Sequence, residues 1–393
     1  MKEAQLNSFK LLIVIDSLGA GGAEKSTQIF CDYLYNNNLN FKIICLKKVK
    51  VGVQENMLEK GYKIDFLENL STYKQINYII NDIRSSKYTL VHSILLRSNM
   101  RVRLCKVFTS FIHIESLVNT TYDSQRFSDP NVNKISLSIY KIIDRLTINR
   151  YVNHFHSITN VVKQHYINEL GIKPHKLTVI YRGRESHDLA AKIDVSQFGF
   201  SEKDFIIVNN GRHEFQKGQL SLVKAISLLV DRNYNDIKLL ILGRSGNCTQ
   251  ELKQLIDQTK LGSSIHLAEY RNDVPDVLKS CQLFAFPSLY EGLGGSVIEA
   301  QAAGLPIICN NIDVMHEVVQ ESKNAEFFET QNPESIVKKI LYFYNNRSKL
   351  QEYGEYSLFN YKKNFSLDNI NKKMLDFYFE LCGIKKKDIH AIK

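Results

Sequence analysis

The chain has 393 residues, 44% hydrophobic and 23% charged, a balance that excludes a disordered protein and leaves room for two separately cored domains. Its formal net charge of +10 is unevenly spread, with 26 Lys+Arg against 16 Asp+Glu in residues 1–190 and 25 against 25 in the remainder. No apolar run reaches the roughly 18 to 20 residues that span a bilayer, and seven scattered cysteines without a Cys-x-x-Cys pair argue against a disulfide framework and a zinc site.

The first apolar block, residues 11–15, is too short for the apolar core of a signal peptide and reads as a strand. A cytosolic chain in a reducing environment is the expectation. Next comes Gly19-Ala20-Gly21-Gly22-Ala23-Glu24, a Gly-rich turn into a helix over 23–35. It is not a dinucleotide fingerprint, because Gly-x-Gly-x-x-Gly is unmatched and no acidic residue closes the second strand, 41–46.

Strand and helix patterns then alternate: a strand at 63–67, a helix at 76–83, a strand at 90–92, and a helix carrying Arg97, Arg101, Arg103 and Lys106. Such alternation predicts a parallel sheet with helices on both faces. The strand 111–115 places His113 near its carboxyl end, where open α/β sheets hold ligands; a buried structural histidine is the competing reading. Residues 119–130 are polar and turn-rich and read as a mobile loop. Ile135, Ile139, Ile142, Ile143 and Leu146 mark one side of a helix with Lys134, Lys141 and Arg145 on another. That stripe could lie on a membrane, but the expected reading is a core helix with a solvated basic face. A strand at 176–181 and Arg182-Gly183-Arg184 close the first half.

Residues 185–203 show no periodicity and read as a linker; a sheet restarts at 205–208. The loop from Gly211 through Arg212 and Lys217 to Gly218 precedes a helix over 219–229. Arginine offers a planar fork of donors and lysine a mobile point charge, so this pair suits a diphosphate. The strand 237–242 ends in a second Gly-rich turn beginning at Gly243, and Arg271 lies in the turn after the strand 265–267. The apolar run 283–286 stops at Pro287-Ser288, and Tyr290-Glu291-Gly292-Leu293-Gly294-Gly295 leads into a helix over 295–303, halted by Gly304-Leu305-Pro306. A turn of this kind aims free N–H groups and the positive end of the helix dipole at one spot, which suits a phosphate or the polar edge of a sugar. Glu291 precedes the helix and Glu299 sits about two turns inside it, so the two can touch separate parts of one extended ligand.

Glu-x7-Glu with Gly-Leu-Gly after the first Glu and Ala-Gly-Leu-Pro after the second resembles the signature of retaining, nucleotide-sugar-dependent glycosyltransferases of family 4. The resemblance implies a GT-B fold: two Rossmann-like, doubly wound α/β domains facing across a cleft, with a C-terminal helix crossing back to the first. It divides the chain into an acceptor-side domain at 1–184, a linker at 185–203, a nucleotide-sugar-binding domain at 204–366, the returning helix at 367–382 and a tail at 383–393. It makes Gly21 and Gly22 part of a cleft-facing loop, His113 a contact to the donor sugar, and 135–146 a packing helix. Arg212 and Lys217 are assigned to the donor's diphosphate, Gly243 and Arg271 to the nucleotide pocket, and Gly292, Leu293, Gly294 and Gly295 to the donor-binding turn. Glu291 would bind hydroxyls of the transferred sugar and Glu299 the ribose. Arg182-Gly183 departs from the family's usual Asn-Gly.

The implied reaction moves a sugar from a nucleotide diphosphate to an acceptor hydroxyl with retention at the anomeric carbon, UDP being the favoured carrier. No Asp-x-Asp occurs in the chain, so neither metal nor other cofactor is expected and cations take the charge of the leaving diphosphate. A glycan or lipid-linked acceptor is expected, along with peripheral contact between the basic first half and an anionic inner membrane face. Two other classes compete: a nucleotide-sugar epimerase of related fold, and a non-catalytic nucleic-acid-binding protein. The latter lacks interleaved basic and aromatic residues.

Overall fold

The computed structural model describes residues 9–384, so residues 385–393 of the tail predicted at 383–393 lie outside it. The chain forms two compact units. One comprises the residues up to Tyr122, Asn133–Gly183 and the residues from Asp368; the other comprises Asp123–Val132 and Arg184–Leu367.

The first unit is built on seven strands: β1 (Lys10–Ser17), β2 (Asn40–Lys47), β3 (Ile64–Phe66), β4 (Leu90–Ile94), β5 (Ile112–Leu117), β6 (His154–Ser157) and β7 (Leu177–Val179). Their order is β3-β2-β1-β4-β5-β6-β7, and every pairing is parallel, as in Ile13 against Ile43 on one side and His92 on the other. Parallel neighbours need crossovers, supplied by helices that include α1 (Gly22–Asn36), α2 (Leu96–Phe108) and α3 (Lys134–Tyr151). Because side chains alternate across a strand, β1 feeds two cores. Leu11, Ile13 and Ile15 pack with Phe30 and Leu34, whereas Leu12 and Val14 pack with Ile79, Ile83 and Val102. The helix Leu367–Leu381 completes the first of these cores: Phe379 meets Phe9 edge-to-face at 5.3 Å and Tyr378 meets Phe30 at 5.5 Å.

The second unit has six parallel strands, β8 (Phe205–Asn210), β9 (Ile237–Leu242), β10 (Ile265–Leu267), β11 (Leu283–Phe286), β12 (Ile307–Asn310) and β13 (Ala325–Phe328), ordered β10-β9-β8-β11-β12-β13. The order reverses between β8 and β11, and the crevice beyond the carboxyl ends at such a reversal is where open sheets bind ligands. β8 runs out into the loop before α4 (Gln219–Asp231), and β11 into the loop before α5 (Gly295–Ala302). Both motifs singled out in the second half therefore flank one crevice.

Three expectations need correction. The stretch 185–203 is not a free connection: Ala191 N donates to Asp276 Oδ1 and Ile193 N to Ser280 Oγ, both at 2.8 Å, and Val195, Phe198 and Phe200 are buried in the second unit. Within 119–130, Asp123 caps a short helix Ser124–Ser128, and the buried Asp129 accepts from Tyr290 Oη at 3.3 Å, so the polarity of this stretch reflects capping and hydrogen bonding. The stripe Ile135, Ile139, Ile142, Ile143 and Leu146 is exposed, and α3 buries Leu137, Asp144 and Ile148 instead. Its rotation is fixed by Arg103 on α2, buried between Asp144 Oδ1 at 2.6 Å and Glu115.

Candidate functional site

The second-unit crevice is lined by two loops joined by a backbone bond and a side-chain bond. Leu289 N donates to Gln216 O at 2.8 Å and Gln216 Nε2 to Tyr290 O at 2.7 Å. Behind them, Thr330 Oγ1 donates to Pro287 O and Asn310 Nδ2 to Ser288 O, both at 2.9 Å, which satisfies the carbonyls left over where β11 ends. Gly218 has φ +61° and lies so close to Pro287 that a Cβ there would sit 2.3 Å from its carbonyl oxygen. Only glycine lets the two loops touch. Gly243 abuts Gly211 in the same way, bringing the turn after β9 into the wall.

Each acid of the Glu-x7-Glu pair has its own cation. Lys217 Nζ donates to Glu291 Oε1, joining the two loops across the mouth of the crevice. Arg184 Nε lies 3.3 Å from Glu299 Oε1, with side-chain exposures of 6% and 12%, and Asn210 Nδ2 reaches Glu299 Oε2 at 3.4 Å. Gly294, at φ +79°, caps α5, and the Arg184 guanidinium lies over the next residue: a Cβ on Gly295 would fall 2.1 Å from Arg184 Nη2. A guanidinium, an ammonium and the amino end of a helix thus face the same loop, beside Gly292 and the buried Leu293. Arg212 is at the rim, more exposed, and paired with Glu214 Oε1 at 2.7 Å. Arg271 forms a two-pronged bond with Asp273 at 2.8 and 2.5 Å, which holds that carboxyl below the usual carboxylate range, and its guanidinium lies over Phe198.

In the first unit, Gly21 caps α1 with its backbone, Gly22 is the first helical residue, and Glu24 folds back to accept from Ser17 Oγ at 3.3 Å. Asp16, at the carboxyl end of β1, caps α2 by accepting from Ser98 N and Ser98 Oγ at 2.7 Å; burial, opposed by those bonds, pushes its carboxyl up. His113 is a correction. β5 begins at Ile112, so His113 lies at its amino end, fully buried, with Nδ1 on Tyr151 O at 3.1 Å and Nε2 on Ser93 Oγ at 2.9 Å. The carbonyl can only accept, so Nδ1 carries the proton and Nε2 takes the Ser93 hydroxyl. Burial pushes the imidazole down to about 3, and both nitrogens are occupied, which removes it from ligand chemistry.

Sequence reasoning missed Arg184 and Asn210. Arg184 had a signal, since it directly follows Arg182-Gly183, where the chain departs from Asn-Gly, but its partner is 115 positions away and no spacing rule reaches that far.

Residues 191–358 match the family model described as Glycosyl transferases group 1. The chain is 23% identical over 323 residues to the Escherichia coli UDP-Gal:alpha-D-GlcNAc-diphosphoundecaprenol alpha-1,3-galactosyltransferase, covering 79% of this chain and 81% of that one. It is 25% identical to the Staphylococcus aureus capsular polysaccharide biosynthesis glycosyltransferase CapH, over 84% of this chain and 90% of the relative. Among solved structures, Anabaena Alr3699/HepE in complex with UDP and glucose superposes with a TM-score of 0.82 at 15% identity, covering 94% of this chain and 99% of the other.

Proposed function

We propose that this chain is a group 1 glycosyltransferase with a GT-B fold, the family matched over residues 191–358, and that it moves a sugar from a UDP-sugar to a hydroxyl of a lipid-linked or surface-polysaccharide acceptor, with retention and without a metal. The observation that carries this reading is the pairing of Lys217 with Glu291 and of Arg184 with Glu299 around the amino end of α5. Two cation–acid pairs thus line the crevice at the carboxyl ends of β8 and β11.

In this reading the diphosphate lies against the helix end, Lys217 and Arg212. The bond from the anomeric carbon to the phosphate oxygen breaks with its electron pair going to the phosphate, and these groups stabilise the charge that grows on it. The acceptor oxygen bonds to the same face of the anomeric carbon, and its proton passes to the departing diphosphate. Glu291 holds hydroxyls of the transferred sugar and Glu299 those of the ribose. The UDP preference rests on the names of relatives, the E. coli galactosyltransferase and HepE among them.

A thermal-shift screen of UDP-, GDP- and ADP-sugars on the purified chain tests this. A UDP-sugar at a hundred times its dissociation constant adds about 2.7 kcal/mol. If no nucleotide sugar moves the transition, or if the shift persists in full in Lys217→Ala, the assignment of this crevice is wrong.

A further inference from the structure

α3 carries apolar side chains on two opposite sides. At 100° per residue, Leu137, Asp144 and Ile148 share the side turned to the protein, and Ile135, Ile139, Ile142, Ile143 and Leu146 form a stripe roughly half a turn away. That stripe is in water: Ile135 is 75% exposed, Ile142 61% and Leu146 74%. The neighbouring α2, joined to α3 through Arg103 and Asp144, adds Leu104, Val107 and Phe108, the last 61% exposed. Scattered exposed apolar residues need no explanation, but eight on the outer sides of two packed helices make a patch of the kind that marks an interaction surface.

The charges around it select the partner. α2 carries Arg97, Arg101 and Lys106 and no acid, its Arg103 being buried between Glu115 and Asp144; α3 carries Lys134, Arg145 and Arg150, with Lys141 paired to Glu169 and its one acid, Asp144, buried against Arg103. Lys134 and Arg145 flank the stripe along one side and Arg150 lies at its carboxyl end, with long stems able to lie along apolar surface while their heads reach outward. Among the described residues no helix is long and apolar enough to cross a membrane. A helix of 18 residues, about 27 Å long, that shows an apolar stripe with basic margins fits one occupant, the interface of an anionic bilayer. We propose that the outer side of α3, extended by α2, docks on anionic phospholipid, with isoleucines entering the acyl boundary and Lys134, Arg145 and Arg150 on the headgroup phosphates. The excess positive charge of the first half then has a location and a use.

The test needs no knowledge of the sugar transferred. The full-length protein is sedimented with vesicles of phosphatidylcholine alone and of phosphatidylcholine with 30% phosphatidylglycerol, at low and at physiological salt. Binding to the anionic vesicles only, weakened by salt, is expected. Ile139→Glu/Ile142→Glu/Leu146→Glu lowers that partitioning at least about tenfold, and Lys134→Gln/Arg145→Gln/Arg150→Gln lowers it roughly a hundredfold at low salt. Because these side chains are exposed, both variants keep the wild-type melting temperature and its shift by nucleotide sugar. The proposal is overturned if the wild-type protein ignores anionic vesicles at low salt, or if the triple-glutamate variant binds like wild type. It is equally overturned if light scattering shows a wild-type dimer that this variant dissociates, which would make a second copy the occupant.

Discussion

Replacing Arg184 with glutamine takes the guanidinium from the buried Glu299 carboxylate, which keeps Asn210 Nδ2 at 3.4 Å. At an effective dielectric of about 20, unit charges separated by the observed 3.3 Å attract by roughly 5 kcal/mol before desolvation is counted. Removing one member of a buried pair typically costs about 3 to 5 kcal/mol. Glu299 retains Asn210 and its side chain is 12% exposed, so the lower end, about 3 kcal/mol, applies. For a unit of this size that corresponds to a melting transition lower by roughly 6 to 12 °C. The backbone bonds from Arg184 N to Phe365 O and from Tyr361 Oη to Arg184 O stay, so the loss belongs to the guanidinium. Scanning calorimetry on Arg184→Gln, Glu299→Gln and the double variant measures it, with a coupling of at least about 1.5 kcal/mol expected. A shift below 1 °C for Arg184→Gln, or strict additivity in the double variant, refutes the pairing. The same variant raises the KM for the donor more than it lowers kcat, because Glu299 loses the group that orients it.

Gly295→Ala places a methyl where Arg184 Nη2 now lies, 2.1 Å away, and the displaced guanidinium costs about 1 to 3 kcal/mol by urea unfolding. In an Arg184→Gln background the same substitution is nearly neutral. Lys217→Ala lowers kcat/KM by about a hundredfold to a thousandfold in a transfer assay, the range for loss of one charge-stabilising donor, and chelation with EDTA leaves the wild-type rate unchanged. His113 and His156 are both pushed down to about 3 by burial. The unfolded chain therefore binds more protons between about pH 6.5 and pH 3, so stability is full above that window and falls as pH drops through it, by about 1.4 kcal/mol per pH unit per histidine. Urea titrations at pH 7.5, 6 and 5 should show the first unit weakening; a flat profile contradicts buried neutral rings. Nitrogen NMR should find the proton of His156 on Nε2, which donates to Ile180 O at 2.8 Å, leaving Nδ1 to accept from Ser116 Oγ.

The strands were legible because a sheet buried on both faces writes itself as short apolar runs, and residues 11–15 and 283–286 are such runs. The crevice was legible because Gly218, Gly294 and Gly295 mark backbone that a Cβ would obstruct. What stayed hidden depends on distant partners. Nothing local to His113 announces that Tyr151 O and Ser93 Oγ occupy both its nitrogens. Periodicity found the stripe on α3 but not its direction, since a helix with two apolar sides has the same pattern whichever one is packed; a single buried arginine, Arg103, decides.

The packing of Phe379 and Tyr378 onto Phe9 and Phe30 has a consequence for biosynthesis. Residues 184–367 belong to the other unit, so on the ribosome they all emerge before the segment that finishes the first core. At translation rates of about 5 to 20 residues per second, the amino-terminal sheet waits on the order of ten to forty seconds with its aromatic seat uncovered. The second unit can fold during that delay. The half made first is thus the last to mature, and a chain whose synthesis stops within Leu367–Leu381 leaves its older half as the unfinished one.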